Sequence, residues 1–149
     1  MHDPFAMRPF LGYNFGAYLG HWLAMGGRRG AVLPRIFHVN WFRRGGDGAY
    51  LWPGFGDNCR VVDWICRRVD GEAGTAAETA VGYVPSPGSL DLSGLAPGLD
   101  WEQLFALPRG FWEREVHDIR RYLTVQVNRD LPGALLSELE GLERRVAAM

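Results

Sequence analysis

Between Tyr13 and Met25, the apolar residues Phe15, Tyr18, Trp22 and Met25 recur at spacings of three and four, which predicts a helix that Gly26-Gly27 ends. The preceding DPFAMRPFLG carries two prolines and predicts an extended or irregular lead-in. The pattern changes at Pro34 to Trp41 (PRIFHVNW), where β-branched and aromatic residues predict a strand. The turn-forming Arg43 to Gly48 follows, then the short apolar run Ala49 to Trp52. Together they predict a β-hairpin with a mobile tip. Pro53-Gly54-Phe55-Gly56 reads as a tight loop. Asp57 or Asn58 is placed to cap a helix running through Arg68 and ending at Asp70-Gly71.

From Glu72 to Gly98 the chain is rich in Ala, Gly, Pro and Ser, and predicts a long connection with one strand-like piece at Val81 to Val84. A short helix is expected at Trp101 to Ala106. A longer one spans Pro108 to Asn128, where Phe111, Glu115 and Ile119 stack at intervals of four. Leu131 to Met149 is a last amphipathic helix with Leu135, Leu139 and Leu142 on one face. The expected fold class is mixed α/β (α+β), a hairpin plus several helices.

Composition narrows the function classes. The 149 residues are 47% hydrophobic and 22% charged with a net charge of -1, which suits one globular domain and excludes a disordered tail, a coiled coil or a basic nucleic-acid arm. No run approaches the roughly 20 apolar residues of a membrane span, and the start lacks a signal-peptide pattern. The expected location is therefore cytoplasmic, with no membrane or nucleic-acid partner. All 16 basic residues are arginine, so lysine chemistry, whether a Schiff base, a metal ligand or a phosphate-loop lysine, cannot come from this chain. Cys59 and Cys66, seven apart on a predicted helix, lie about 10.5 Å apart along its axis. That is too far for a disulfide, and they are expected to be small packing residues.

Charge and rings are unevenly spread. Residues 1–70 hold nine Arg against five acids, residues 71–149 seven against twelve, and 13 of the aromatics precede residue 65. The first half is expected to hold a ligand surface suited to an anion with a flat ring, and the second half to be helical scaffold. Within it, Phe42, Tyr50 and Phe55 fall on a hairpin and the loop after it, with glycines on both sides of Phe55. Rings so presented can stack a base, at roughly 1 to 3 kcal/mol each. Asn58 can offer both donors and an acceptor to a base edge. The default for such rings is that they simply fill a core, and composition alone does not overturn it.

The segments MHDPFAMRPFLGYNFGAYLGHWLAM, LPRIFHVNWFRR, YLWPGFGDNCRVVDWICRRVDG, VGYVPSPGSLDLSGL and FWEREVHDIRRYLTVQVNRDLP closely resemble the C-terminal part of GTP-dependent phosphoenolpyruvate carboxykinase. The resemblance covers essentially the whole chain, and FHVNWFR and LWPGFG followed by an acid and Asn are specific motifs. It implies the C-terminal portion of that fold. It also implies a guanine sandwich by Phe42 and Phe55, a third ring at Tyr50 where the family usually has Phe, a contact from Asn58 to the guanine edge, and Trp41 beside the base. Phe10, in MRPF, is implied to lie near the organic-acid site. Arg8, Arg43 and Arg44 have no implied role beyond solvated charge near a phosphate.

The implied reaction takes oxaloacetate and GTP to phosphoenolpyruvate, GDP and CO2, with Mn2+ and a second divalent ion such as Mg2+ beside the nucleotide, in a family that is usually monomeric. The family's phosphate loop, its manganese ligands and its Arg clamps are not matched here: there is no lysine and no GxxxxGK[ST], and His2, His21, His38 and His117 match no metal motif. No catalytic residue and no metal ligand is therefore expected in the chain, which is expected to supply the guanine wall and to be inactive alone. Its Met1 directly precedes a motif that lies deep inside the family's longer proteins. This suggests a truncated product, a partial sequence or an internal methionine read as a start, with the N-terminal portion as the missing partner. Competing readings are a free-standing guanine-nucleotide module or complementing subunit, and a fragment that does not fold stably.

Overall fold

The computed structural model describes residues 8–95 and 98–149. The lead-in expected before Arg8, His2 and the side chain of Arg8 lie outside the described residues. Contacts divide the described residues into two compact units, one from residues 8–34 and 108–149 and the other within 35–107. The 1–70 and 71–149 halves rest on charge and aromatics, whereas these units rest on which segments pack together. No helix among the described residues is long and apolar enough to cross a membrane.

In the first unit, α1 spans Phe15–Gly26 and stops at Gly27, close to the expected limits. Asn14 works at both ends of its amide. Its Oδ1 accepts from the Gly16 N–H at 2.7 Å as an N-cap, while its Nδ2 donates to the Val127 carbonyl at 2.8 Å. α4 (Arg109–Arg121) and α5 (Gly133–Ala147) pack against each other and bury Val116, Leu139 and Val146, the last two on the apolar face expected of α5.

The helix expected to continue to Asn128 changes form after Arg121. Tyr122–Val127 is a wide π turn, followed by a 3-10 turn at Asn128–Asp130. In a π turn, residues five apart return to nearly the same face. Tyr122 and Val127 use this to enter one core together with Phe15 and, around it, Leu11, Tyr18, Leu19, Leu123 and Leu131. Gly16 lies buried where α1 meets this turn: a Cβ there would stand 2.4 Å from the Asp130 carbonyl and 2.8 Å from the Leu131 nitrogen.

Arg120 on α4 donates to both carboxylate oxygens of Glu143 on α5, at 2.5 and 2.6 Å. These bonds hold the Glu143 carboxyl below its ordinary value. A lowered acid pKa stabilises the fold above the ordinary value, and that contribution disappears as pH falls through the folded one. Glu143→Gln is therefore expected to lower the thermal midpoint slightly at pH 7 and by less in acid, as melting curves at pH 7 and pH 3 would show. The pair is about one-third exposed, so the effect is small.

In the second unit, α2 spans Asn58–Val69 and buries Trp64, whose Nε1 donates to the Thr75 carbonyl at 2.7 Å and whose ring meets Phe37 edge-on. The only regular ladder among the described residues pairs β1 (Ala76–Thr79) with β2 (Gly82–Pro85), antiparallel, Ala76 opposite Pro85. It occupies the expected long connection, where the sequence predicts only one strand-like piece at Val81 to Val84. The rest of that connection is stapled by arginines. Arg60 donates to the Asp91 and Ser93 carbonyls at 2.6 and 2.9 Å, and Arg67 donates to the Ser89 carbonyl while pairing Asp63 and Glu72.

The strand expected at Pro34 to Trp41 is not part of a sheet. Its residues carry no regular secondary structure, because no segment among the described residues takes their backbone bonds. The hairpin expected over 34–52 reduces to one bridge, Arg44 with Tyr50, across the Gly45–Gly48 turn. Cys59 and Cys66 are free and exposed rather than packed, since they lie off the α2 face that carries Trp64. α3 (Trp101–Phe105) forms as expected, capped by Asp100, which accepts from the Gln103 N–H at 2.9 Å.

Candidate functional site

The second unit contains a cleft of about 640 Å³ lined by Trp41, Phe42, Tyr50, Trp52, Pro53, Gly54, Phe55 and Asn58. Five of the six residues singled out from the sequence, Trp41, Phe42, Tyr50, Phe55 and Asn58, come together here. The sixth, Phe10, ends a short turn in the other unit, where its ring is exposed.

The cleft has a buried floor and an exposed rim. Trp52 is 5% exposed, and Trp41 tilts against it with ring centres 6.4 Å apart. At the rim, Phe42 is 71%, Tyr50 54% and Phe55 92% exposed. Rings this accessible stabilise the fold little, so the alternative that all of them fill a core does not hold. Phe42 stands edge-on to Tyr50 with centres 6.1 Å apart. Phe55 starts the turn leading into α2, and the preceding Gly54 has φ +127°, a conformation that requires glycine.

Asn58 does not cap α2. Its Oδ1 accepts from Trp52 Nε1 at 2.8 Å, and because an indole N–H only donates, this bond orients the amide. The Nδ2 donors are left as the polar arm at the cleft. Asp57 does not cap the helix with its side chain either; it pairs with Arg60 at 2.9 Å.

Two arginines without an expected role hold the loop in shape. Arg43 donates to the carbonyls of Leu104 and Ala106, at 2.8 and 2.6 Å, at the carbonyl end of α3. Arg44 covers the Tyr50 ring with its guanidinium carbon 4.3 Å from the ring centre, and donates to the Tyr50 hydroxyl at 2.8 Å and the Gly48 carbonyl at 2.9 Å. The signal for the second pair was the turn itself: closing Gly45–Gly48 sets 44 opposite 50.

The family described as "Phosphoenolpyruvate carboxykinase C-terminal P-loop domain" matches residues 1–145. The chain belongs to the GTP-dependent phosphoenolpyruvate carboxykinase family. Among its relatives, a human protein named "Phosphoenolpyruvate carboxykinase [GTP], mitochondrial" is 68% identical over all 149 residues. A chicken protein named "Phosphoenolpyruvate carboxykinase, cytosolic [GTP]" is 53% identical over 146 residues, 98% of the chain. A carboxykinase of Ascaris suum is 46% identical over 149 residues. The chain spans 23% of the length of each of these carboxykinases.

Among the described residues, no three His, Cys, Asp or Glu side chains come together in a way that could hold a metal ion. With no lysine in the chain, the residues present do not fit the manganese site that the resemblance implies.

Proposed function

We propose that residues 41–58 form the guanine-binding wall of a carboxykinase that converts oxaloacetate and GTP to phosphoenolpyruvate, GDP and CO2. The observation that carries this reading is the cleft rim, three exposed rings around one oriented amide. A purine entering between Phe42 and Phe55 covers apolar ring surface on both faces, with Tyr50 beside it. The Nδ2 of Asn58 then donates to the O6 acceptor of guanine, where adenine carries an amino donor. Tyr50 in place of the usual Phe keeps the stacking face.

Phosphoryl transfer depends on cations that neutralise the phosphate oxygens, and no step is assigned to such a group in this chain. The proposed partner is the portion of a carboxykinase that this chain does not contain, and the chain alone is proposed to be inactive. The cytoplasmic placement is part of the proposal; relatives named mitochondrial and cytosolic both match the segment.

With base contacts alone, GTP is expected to bind no tighter than about millimolar, roughly 4 kcal/mol. NMR shift titration with GTP reads this range. Phe42→Ala and Phe55→Ala are each expected to weaken binding about fivefold or more. Unchanged binding in both variants would remove the reading, and a micromolar affinity would favour a free-standing nucleotide module instead.

A further inference from the structure

We propose that Arg44 is a positioning residue for base recognition, holding the Tyr50 ring in place at the rim of the cleft through its face and its hydroxyl together. The proposal rests on the guanine reading above. Tyr50 is 54% exposed, and so exposed a ring has little packing to choose its rotamer. Ordering it would then be a cost of binding.

Arg44 removes that freedom in three ways. Its guanidinium carbon lies 4.3 Å from the ring centre, within the range of an attractive cation–ring contact. One terminal nitrogen donates to the Tyr50 hydroxyl and the other to the Gly48 carbonyl. The backbones of 44 and 50 are bridged as well, so the arginine is rooted directly opposite the ring it holds. Phe42 then meets Tyr50 edge-on, and the two rings form a fixed corner.

The hydroxyl matters because a phenylalanine at 50 could accept no such bond. The tyrosine thus has a built partner, and the guanidinium supplies both the cation and the fork geometry that reaches two acceptors. The charge on Arg44 is directed at Tyr50 and Gly48, a role distinct from solvated charge beside a phosphate.

The test is NMR shift titration of the 149-residue chain with GTP and, separately, with guanosine, which has no phosphate. Arg44→Gln is expected to weaken both ligands equally, about three- to tenfold, and Arg44→Lys to recover part of the loss. Tyr50→Phe is expected to weaken binding two- to threefold in the parent chain and not at all in the Arg44→Gln background, since the two groups act as one unit.

A loss with GTP but none with guanosine would overturn the proposal and make Arg44 a phosphate contact. No loss with either ligand, while Phe42→Ala still weakens both, would overturn the clamp and leave the guanine reading standing. If Phe42→Ala and Phe55→Ala also change nothing, the guanine reading itself fails and the clamp falls with it.

Discussion

Alanine at position 16 is expected to destabilise the unit built from 8–34 and 108–149 by about 3 kcal/mol, the upper end of the usual overpacking cost. The added methyl would sit 2.4 Å from the Asp130 carbonyl carbon and oxygen and 2.8 Å from the Leu131 nitrogen. These are backbone atoms, so no side-chain rotation relieves the contact. Moving α1 away would pull Asn14 Nδ2 from the Val127 carbonyl and Phe15 from the core it shares with Tyr122 and Val127. Moving the 128–131 turn would disturb the same core from the other side. Amide hydrogen exchange resolves the result by unit: protection should fall in α1, α4 and α5 while α2 keeps its own. Unchanged protection at α1 and at 122–131 would show that the approach is looser than described.

The second large effect concerns base choice. In Asn58→Asp, the inner oxygen still accepts from Trp52 Nε1, so the buried indole keeps its partner. The outer arm changes from donor to acceptor. It then faces the O6 of guanine with like polarity and suits the 6-amino group of adenine. The ratio of guanine to adenine nucleotide affinity is expected to fall tenfold or more, about 1.4 kcal/mol. Titrating the variant with GTP and ATP measures this directly, with a Trp52 indole N–H still protected from exchange as the sign of an intact cleft. An unchanged ratio would mean that Asn58 serves Trp52 alone and that base choice lies elsewhere.

What could be read from the sequence was what a short segment decides for itself. α1 announced itself by apolar spacing and a glycine stop, α2 by its glycine stop and α5 by its apolar face, and these and α3 formed near their expected limits. Pairing was less visible, because a strand is a property of two segments. PRIFHVNW has strand-like residues but no neighbour among the described residues, while Ala76–Thr79, with its Ala and Glu, pairs only because Gly82–Pro85 lies opposite. The π turn at Tyr122–Val127 escaped because a helical period assumes that the turn width never changes.

The site followed the same rule. Phe42, Tyr50, Phe55 and Asn58 lie within 17 residues, so local turns suffice to gather them. Arg43 and Arg44 acquire their roles only from what the folded loop places opposite them, the end of α3 and the Tyr50 ring. Gly16 gave no sequence signal, because the backbone that forbids a larger residue lies more than 110 positions away.

That separation orders events during synthesis. Asn14 donates to Val127 across 113 residues. At the usual rate of chain elongation, its acceptor leaves the ribosome roughly 6 to 23 seconds later. Until then Phe15 and Tyr18 have no core to enter, whereas residues 35–107, contiguous in the chain, are already complete and free to fold. α1 is thus made before residues 35–107 and buried after them, and chaperones that bind exposed aromatic segments have a long opportunity there.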